Sequence, residues 1–591
     1  MKRVIIIFSI FIFFIYCGVK SYKTFESLIH DTVKEKTISL TKVLSELDST
    51  DNKTALIASF KKARTEYKII EPFIEYYYQG LSRRINGPAL PEIKTDDNMV
   101  NDPSGFQVIE ELVYEDSLDK AEISKQVNIL KTDLLFVAQN FNQLPIQDHH
   151  FYELIQHQII RIATLGITGF DSPVGFNSID EAHASIQGIE EFYNLYGTYN
   201  NKKLNPKLLA LLKSNKVYIS QNKDFNSFNR LSYIKQHLMP LSIEIEKEFK
   251  EVIAKNKYFE SNKFFYGTLS DLMQGKKINA DAFTPFADSK TTKEKITLGK
   301  VLFSSTSLSK SNNLSCASCH NAEKAFTDQK TTSLANVHST SVKRNSPTLY
   351  YAALQKSFFY DMRSQDLENQ IEDVMKNPDE FNLSPNEINN KIKGNKEMQD
   401  LFNKAFPNKT TITPYEIRNA IASYVKSLIP FNSKIDQYFK GETTLSKSEI
   451  NGFNIFAGKA KCATCHFIPI YNGTVPPWYN TTESEVIGVP KSPIWKNAVV
   501  DSDIGRYKLN QLEQLKYSFK TPTVRNAEKT GPYMHNGVYK SLDEVIRFYE
   551  LGGGNGIGMQ LEYQTLPFDH LNLTETEKQD IISFIKTLTD K

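Results

Sequence analysis

A mainly α-helical fold is expected for this 591-residue chain, on three observations. Apolar residues in the first half recur at helical spacing: within 105–114, Val108, Ile109, Leu112 and Val113 fall on one face of a helix. Gly87-Pro88, Pro91, Pro173 and Gly175 punctuate that pattern, as short loops between antiparallel helices would. In the second half, Ser446 and Glu449 form an S-x-x-E capping box. Thr574 and Glu577 form a second, ahead of the apolar stripe Ile581, Ile582, Ile585 and Leu588.

Forty per cent apolar and 24% charged residues describe an ordinary globular protein, and the length calls for several domains. A formal net charge of +3, with both signs mixed along the chain, gives no reason to invoke nucleic acid. The N-terminus differs from the rest. Lys2 and Arg3 precede an apolar run, Val4 to Val19, which Lys20 and Lys23 follow. The run is short for a bilayer span of ~20 residues. It fits an export signal or a short uncleaved membrane anchor over residues 1–24, and so a periplasmic protein. Cys17 is an alternative lipid acceptor, with Tyr16 where a small residue is usual.

The remaining cysteines all lie in two motifs, Cys316-Ala-Ser-Cys319-His320 and Cys462-Ala-Thr-Cys465-His466, so none is left for a structural disulfide. CxxCH supplies two thiols for thioether bonds to haem vinyl groups and an imidazole for the iron. Two CxxC pairs sharing a zinc ion are the rival reading. The immediately following histidines and the export signal favour two covalently bound c-type haems, with His320 and His466 as proximal ligands.

This divides the chain into a helical N-terminal domain (25–274), a polar linker (275–290) and two cytochrome c-like haem domains (291–440 and 441–591). Helices over Ile296–Phe303 and Ser446–Phe456 are expected ahead of the two motifs. In the N-terminal domain, Gly105-Phe-Gln-Val-Ile-Glu110 resembles the GxHxxE signature of imelysin-like helical domains, with Gln107 in place of the histidine. His149, His150 and His157 are read as surface or core residues before metal ligands.

From about residue 290 onward the sequence resembles the bacterial di-haem cytochrome c peroxidase/MauG family. The motifs, in order, are Arg344-Asn-Ser-Pro-Thr348, Phe359-Tyr-Asp-Met-Arg363, Asn377-Pro-Asp-Glu380, Pro522-Thr-Val-Arg-Asn526, Gly531-Pro-Tyr-Met-His-Asn-Gly537 and Phe548-Tyr549. The resemblance implies that Glu380 is the catalytic acid–base of a peroxide-binding first haem. It implies a removable distal histidine on that haem, for which His338 lies in the right loop. The second haem's distal ligand, methionine in the peroxidases and tyrosine in MauG, falls on Tyr549, with Met534 and Met559 as substitutes. A calcium ion between the haems falls on Asn345, Thr530 and Pro532. The inter-haem position, usually tryptophan, is Tyr360. Arg363 is left to hold a haem propionate or to pair with Asp361.

The function so implied is reduction of hydrogen peroxide to water with electrons from a small c-type cytochrome or cupredoxin. The alternatives are a MauG-like peroxide-dependent oxidation of a protein or small substrate, and a non-enzymatic electron carrier or haem sensor. Homodimers occur among the peroxidases.

Overall fold

The computed structural model describes residues 24–50, 52–94, 99–200, 203–256, 263–336, 341–393, 395–409 and 411–591. The apolar run Val4–Val19 with Cys17, and the loop position His338, lie outside them. The described chain is mainly helical, as expected. Among the described residues no helix is long and apolar enough to cross a membrane.

The N-terminal half is built on α1 (Phe25–Asp48), α2 (Lys53–Tyr77), α3 (Lys120–Asn140), α4 (Asp148–Thr164), α5 (Ser178–Tyr199) and α6 (Pro206–Gln221). Thr24 opens α1 by accepting from the Ser27 amide at 3.0 Å. Ile29, Val33, Leu40, Leu44 and Leu47 then line the buried face of α1. A two-stranded antiparallel ribbon, β1 (Glu92–Lys94) and β2 (Met99–Asn101), sets Ile93 opposite Val100. The helix expected within 105–114 runs from Phe106 to Tyr114, with Ile109 and Val113 fully buried. Gly105 has φ +94°, and a Cβ there would sit 2.3 Å from the Arg84 carbonyl, so only glycine fits.

A cluster of buried charges in this bundle is paired, as desolvation demands, while buried Arg230 rests on the Ile167, Phe228 and Phe225 carbonyls. Arg64 grips Glu181 at 2.6 and 2.7 Å, Lys68 meets Glu71 and Asp171 at 2.6 Å each, and Arg161 meets Asp171 at 2.7 Å. The GxHxxE-like stretch closes this network: Gln107 donates to the Asn86 carbonyl at 3.0 Å, and Glu110 accepts from Ser172. His150 accepts from the Gln147 amide at the start of α4, and His157 packs edge-on to Trp478 at 4.4 Å. No group of three or more His, Cys, Asp or Glu side chains among the described residues could hold a metal ion.

The second half contains α7 (Lys293–Ser304), α8 (Leu367–Lys376), α9 (Pro414–Lys426), α10 (Lys447–Phe456), α11 (Leu542–Glu550) and α12 (Glu575–Lys586). Both expected capping boxes form. Ser446 accepts from Glu449 at 3.3 Å while the Ser446 amide donates back at 2.6 Å; the Thr574/Glu577 pair does the same at 3.2 and 2.7 Å. Each helix ahead of a CxxCH crosses a later helix at a glycine. A Cβ on Gly299 of α7 would lie 1.9 Å from the Ala420 carbonyl of α9, and one on Gly452 of α10 equally close to the Asp580 carbonyl of α12. A short ribbon pairs β3 (Ser484–Glu485) with β4 (Phe519–Lys520).

The apolar interior does not follow the motif order. Leu298, Leu302, Phe303, Ile371, Ile417 and Ile421 form a core of their own around the first CxxCH. The N-terminal helices instead share one continuous core with Phe453, Phe456, Tyr471, Ile581 and Phe584 of the second. Polar contacts seal that junction: Arg83 to Glu483 at 2.9 Å, Trp478 Nε1 to the Glu75 carbonyl at 3.2 Å, and Lys461 Nζ to the Pro173 carbonyl at 3.1 Å. The segment expected as a linker is pinned at both ends, by Asn279 to the Phe264 carbonyl and by Asn419 to that of Ser289.

Candidate haem centres

Each CxxCH begins on a single turn: Cys316–Cys319 is a short α-turn behind Ser315, and Cys462–Thr464 a 3₁₀ turn. That winding brings both thiols and the following histidine to one side of the chain. All four thiols are unpaired.

The two rings are held in the same way. His320 Nδ1 donates to the Phe326 carbonyl at 3.0 Å, and His466 Nδ1 donates to the Pro522 carbonyl at 2.9 Å. A carbonyl can only accept, so the proton sits on Nδ1 and Nε2 keeps its lone pair, the arrangement in which imidazole binds metal. Burial pushes both imidazoles toward the neutral form, His466 down to about 4.

Both motifs face one cavity of about 1910 Å³. Among the residues singled out in the sequence, Asn345, Tyr360, Glu380, Thr530, Pro532 and Tyr549 line the same cavity. Met534 also lines it, whereas Met559 is buried in a small apolar cluster with Val538, Tyr539 and Phe548.

On the first side, Glu380 sits in the turn that closes α8. Its Oε2 accepts from Asn377 Nδ2 at 2.7 Å, and its charge is felt at both Cys316 and Cys319. Burial raises the Glu380 carboxyl, while the Asn377 amide and Arg363 pull it back. Arg363 pairs with Asp361 at 2.9 and 3.1 Å and lies 3.3 Å over the Phe359 ring.

On the second side stands Tyr549, in the last turn of α11. Its hydroxyl makes no hydrogen bond among the described residues, and burial raises its phenol, with Cys465 and Cys462 adding to the shift. Sequence reasoning missed Glu485, a cavity carboxyl that burial raises to about 7, beside Thr565 and Cys465.

Between the motifs, Asn345 donates to the Lys330 carbonyl at 2.7 Å, which turns its Oδ1 toward the Tyr360 hydroxyl at 3.5 Å. The Tyr360 carbonyl accepts from the Lys520 amide at 2.7 Å. Pro532 follows a cis peptide bond after Gly531.

Two cations of the cavity wall were also missed. Burial lowers Lys520 to about 7 against the pull of Asp361; its ammonium donates to the Ser357 carbonyl at 3.1 Å, lies 5.9 Å over the Phe358 ring and has no ion pair among the described residues. Arg506 Nε is buried without a partner. Buried cations without counter-ions are costly, and haem propionates would supply the missing charge. The lone-pair imidazoles, the two free thiols of each motif and the cations without ion pairs among the described residues fit two covalently attached haems.

Comparison with known proteins agrees with this arrangement. The sequence profile described as "Di-haem cytochrome c peroxidase" matches residues 293–444. The methylamine utilization protein MauG of Methylorubrum extorquens is 30% identical over 301 residues, 50% of this chain and 78% of that protein. The cytochrome c551 peroxidase of Nitrosomonas europaea is 31% identical over 296 residues, 49% of this chain and 79% of its own. Among solved structures, a MauG-like protein associated with microbial copper homeostasis aligns with a TM-score of 0.46 at 27% identity, covering 52% of this chain and 92% of that one. With two CxxCH sites facing one cavity and these relatives each matched over more than three quarters of their length, the chain belongs to the di-haem cytochrome c peroxidase/MauG family.

Proposed function

We propose that this chain is an exported di-haem peroxidase that reduces hydrogen peroxide to two molecules of water. Two electrons come from a small c-type cytochrome or cupredoxin and two protons from solvent. The observation that carries the reading is Glu380: a cavity carboxyl beside the first CxxCH whose burial favours the protonated state and whose anion is steadied by Asn377. A group balanced in this way can take a proton from one peroxide oxygen and return it to the other, the acid–base service that O–O cleavage requires. The haem iron, when bound, supplies the open coordination position and the electrons. His320 and His466 would be the proximal ligands, with Cys316, Cys319, Cys462 and Cys465 as thioether anchors. Tyr549 would cap the second iron and Tyr360 bridge the two centres. Asn345 Oδ1 with the carbonyls of Thr530 and Pro532 would offer hard oxygen ligands to calcium. A helical domain (25–274) ahead of haem domains 291–440 and 441–591 is part of the same proposal.

A carrier or sensor needs no distal carboxyl, so Glu380 also weighs against that alternative. The MauG-like reading keeps one observation in its favour. Burial holds the free Tyr549 phenol protonated, but its hydroxyl has no hydrogen bond of its own among the described residues and would be open to a metal; a phenolate so formed lowers the reduction potential where a thioether raises it. Spectra of the holoprotein before and after stoichiometric peroxide test both. A protein that reacts only after one-electron reduction is the peroxidase; one that reacts fully oxidised is MauG-like. Two six-coordinate haems inert to peroxide in either state defeat both readings.

A further inference from the structure

The second haem segment has two very different sides. On one, the N-terminal helices cover the attachment motif: Lys461, the residue before Cys462, is tied to Pro173, and Phe467 just beyond the motif meets the Phe170 ring at 5.8 Å. On the other lies the loop 490–500, which no N-terminal residue contacts through a hydrogen bond or ion pair among the described residues.

That loop is firmly held yet presents apolar surface. The Lys491 amide donates to the Val499 carbonyl at 2.9 Å, and the Ala498 amide donates to the Ile557 carbonyl at 3.1 Å. Even so, Ile494 is 51% and Val499 69% exposed. Exposed Lys491 and Lys496 flank them, and the Arg547 guanidinium lies 4.5 Å over the Trp495 ring. No ion pair among the described residues engages any of these three cations.

Beneath the patch a file of rings leads inward. Trp495 stacks on Tyr539 at 5.2 Å with 6° between planes, Tyr539 meets Phe548 at 5.5 Å, and Phe548 meets Tyr549 at 5.5 Å. Tyr549 lines the cavity that carries His466 and Cys465.

We infer that this patch is the docking surface for a small one-electron carrier with an acidic face, a reading that rests on the proposed function. A small apolar centre rimmed by three cations that no ion pair engages among the described residues suits brief encounters steered by charge. Redox partners characteristically bury small interfaces. Each encounter would give up one electron along the Trp495–Tyr539–Phe548 file toward the centre that His466 and Cys465 would hold, the carrier leaving oxidised, so that two encounters would serve one peroxide.

The path works in either direction, so docking can be read without peroxide. Fully reduced holoprotein is mixed in a stopped-flow cell with cupric plastocyanin, which is acidic, or with ferric mitochondrial-type cytochrome c, which is basic. Plastocyanin should be the faster acceptor, its second-order rate falling about tenfold or more as ionic strength rises. Lys491→Glu with Lys496→Glu should cut the plastocyanin rate at low salt about tenfold or more and raise that of cytochrome c. Oxidation by a small cobalt complex should stay unchanged. An unchanged plastocyanin rate in the double variant, or a wild-type protein that prefers the basic carrier, overturns the inference. Because no peroxide is present, loss of peroxide turnover defeats the proposed function without touching this result, and the reverse also holds.

Discussion

At the first CxxCH the cavity wall offers a carboxyl, Glu380, steadied by an amide and set in a turn at the end of α8; at the second it offers a phenol, Tyr549, on α11, with Glu485 nearby. The rings of His320 and His466 are nonetheless clamped alike, each Nδ1 on a backbone carbonyl, and each preceding helix crosses its partner at a glycine. Two copies of one scaffold thus carry the same proximal half and different distal halves. Under the proposed function, the difference teaches that the shared clamp would fix where each iron binds, while the unlike walls would set whether a proton or an electron is handled there.

The sharpest way to break that division is Glu380→Gln. The variant should retain both haems on a denaturing gel stained for covalent haem, yet lose peroxide turnover by about 10²–10⁴-fold. Turnover within threefold of wild type would remove Glu380 from the chemistry. The scaffold half of the comparison is tested by Gly299→Ala and Gly452→Ala. Each places a methyl against a carbonyl 1.9 Å away and should destabilise by about 1–3 kcal/mol in thermal unfolding. If only one of them does so, the two crossings are not equivalent.

Asn377→Ala should have a smaller effect with a definite sign. The amide favours ionised Glu380, so its loss raises a carboxyl that burial has already raised. A base that must be ionised then fails at higher pH as acid is added. The acidic limb of kcat/KM should move up by roughly one pH unit, taking a hydrogen bond to a charged group as about 1.5 kcal/mol. The smallest contrast is between helix starts. Ser446 caps α10 reciprocally with Glu449, whereas Thr292 caps α7 by a single bond to the Lys295 amide at 3.2 Å. Ser446→Ala should cost about 1 kcal/mol, and Thr292→Ala about half that.

Much of this was legible in the sequence because it is written locally. CxxCH, the capping boxes and the apolar helix faces each depend on residues within a few positions, and all of them appear where expected. The turn Asn377–Glu380 is local too, since Asn377 bonds the very carboxyl it precedes. Lys520, Arg506, Glu485 and the ring file from Trp495 to Tyr549 are not local. Each is an unremarkable residue until tertiary packing strips it of water or of partners, and no spacing announces that. Gly299 and Gly452 are crossing points only because the Ala420 and Asp580 carbonyls face them, which no local pattern announces.

The core shared between the N-terminal helices and the second haem segment has a consequence for how the molecule comes apart. Side chains from α1 to α6 and from α10 and α12 bury the same apolar surface, joined by Tyr351, Leu354, Phe431, Ile435 and Phe439, whereas α7, α8 and α9 keep a core of their own. Cooperative units follow shared burial rather than order along the chain. Calorimetry on the holoprotein should therefore resolve two melting events, not three. One joins the two ends of the polypeptide, and the other is confined to the middle.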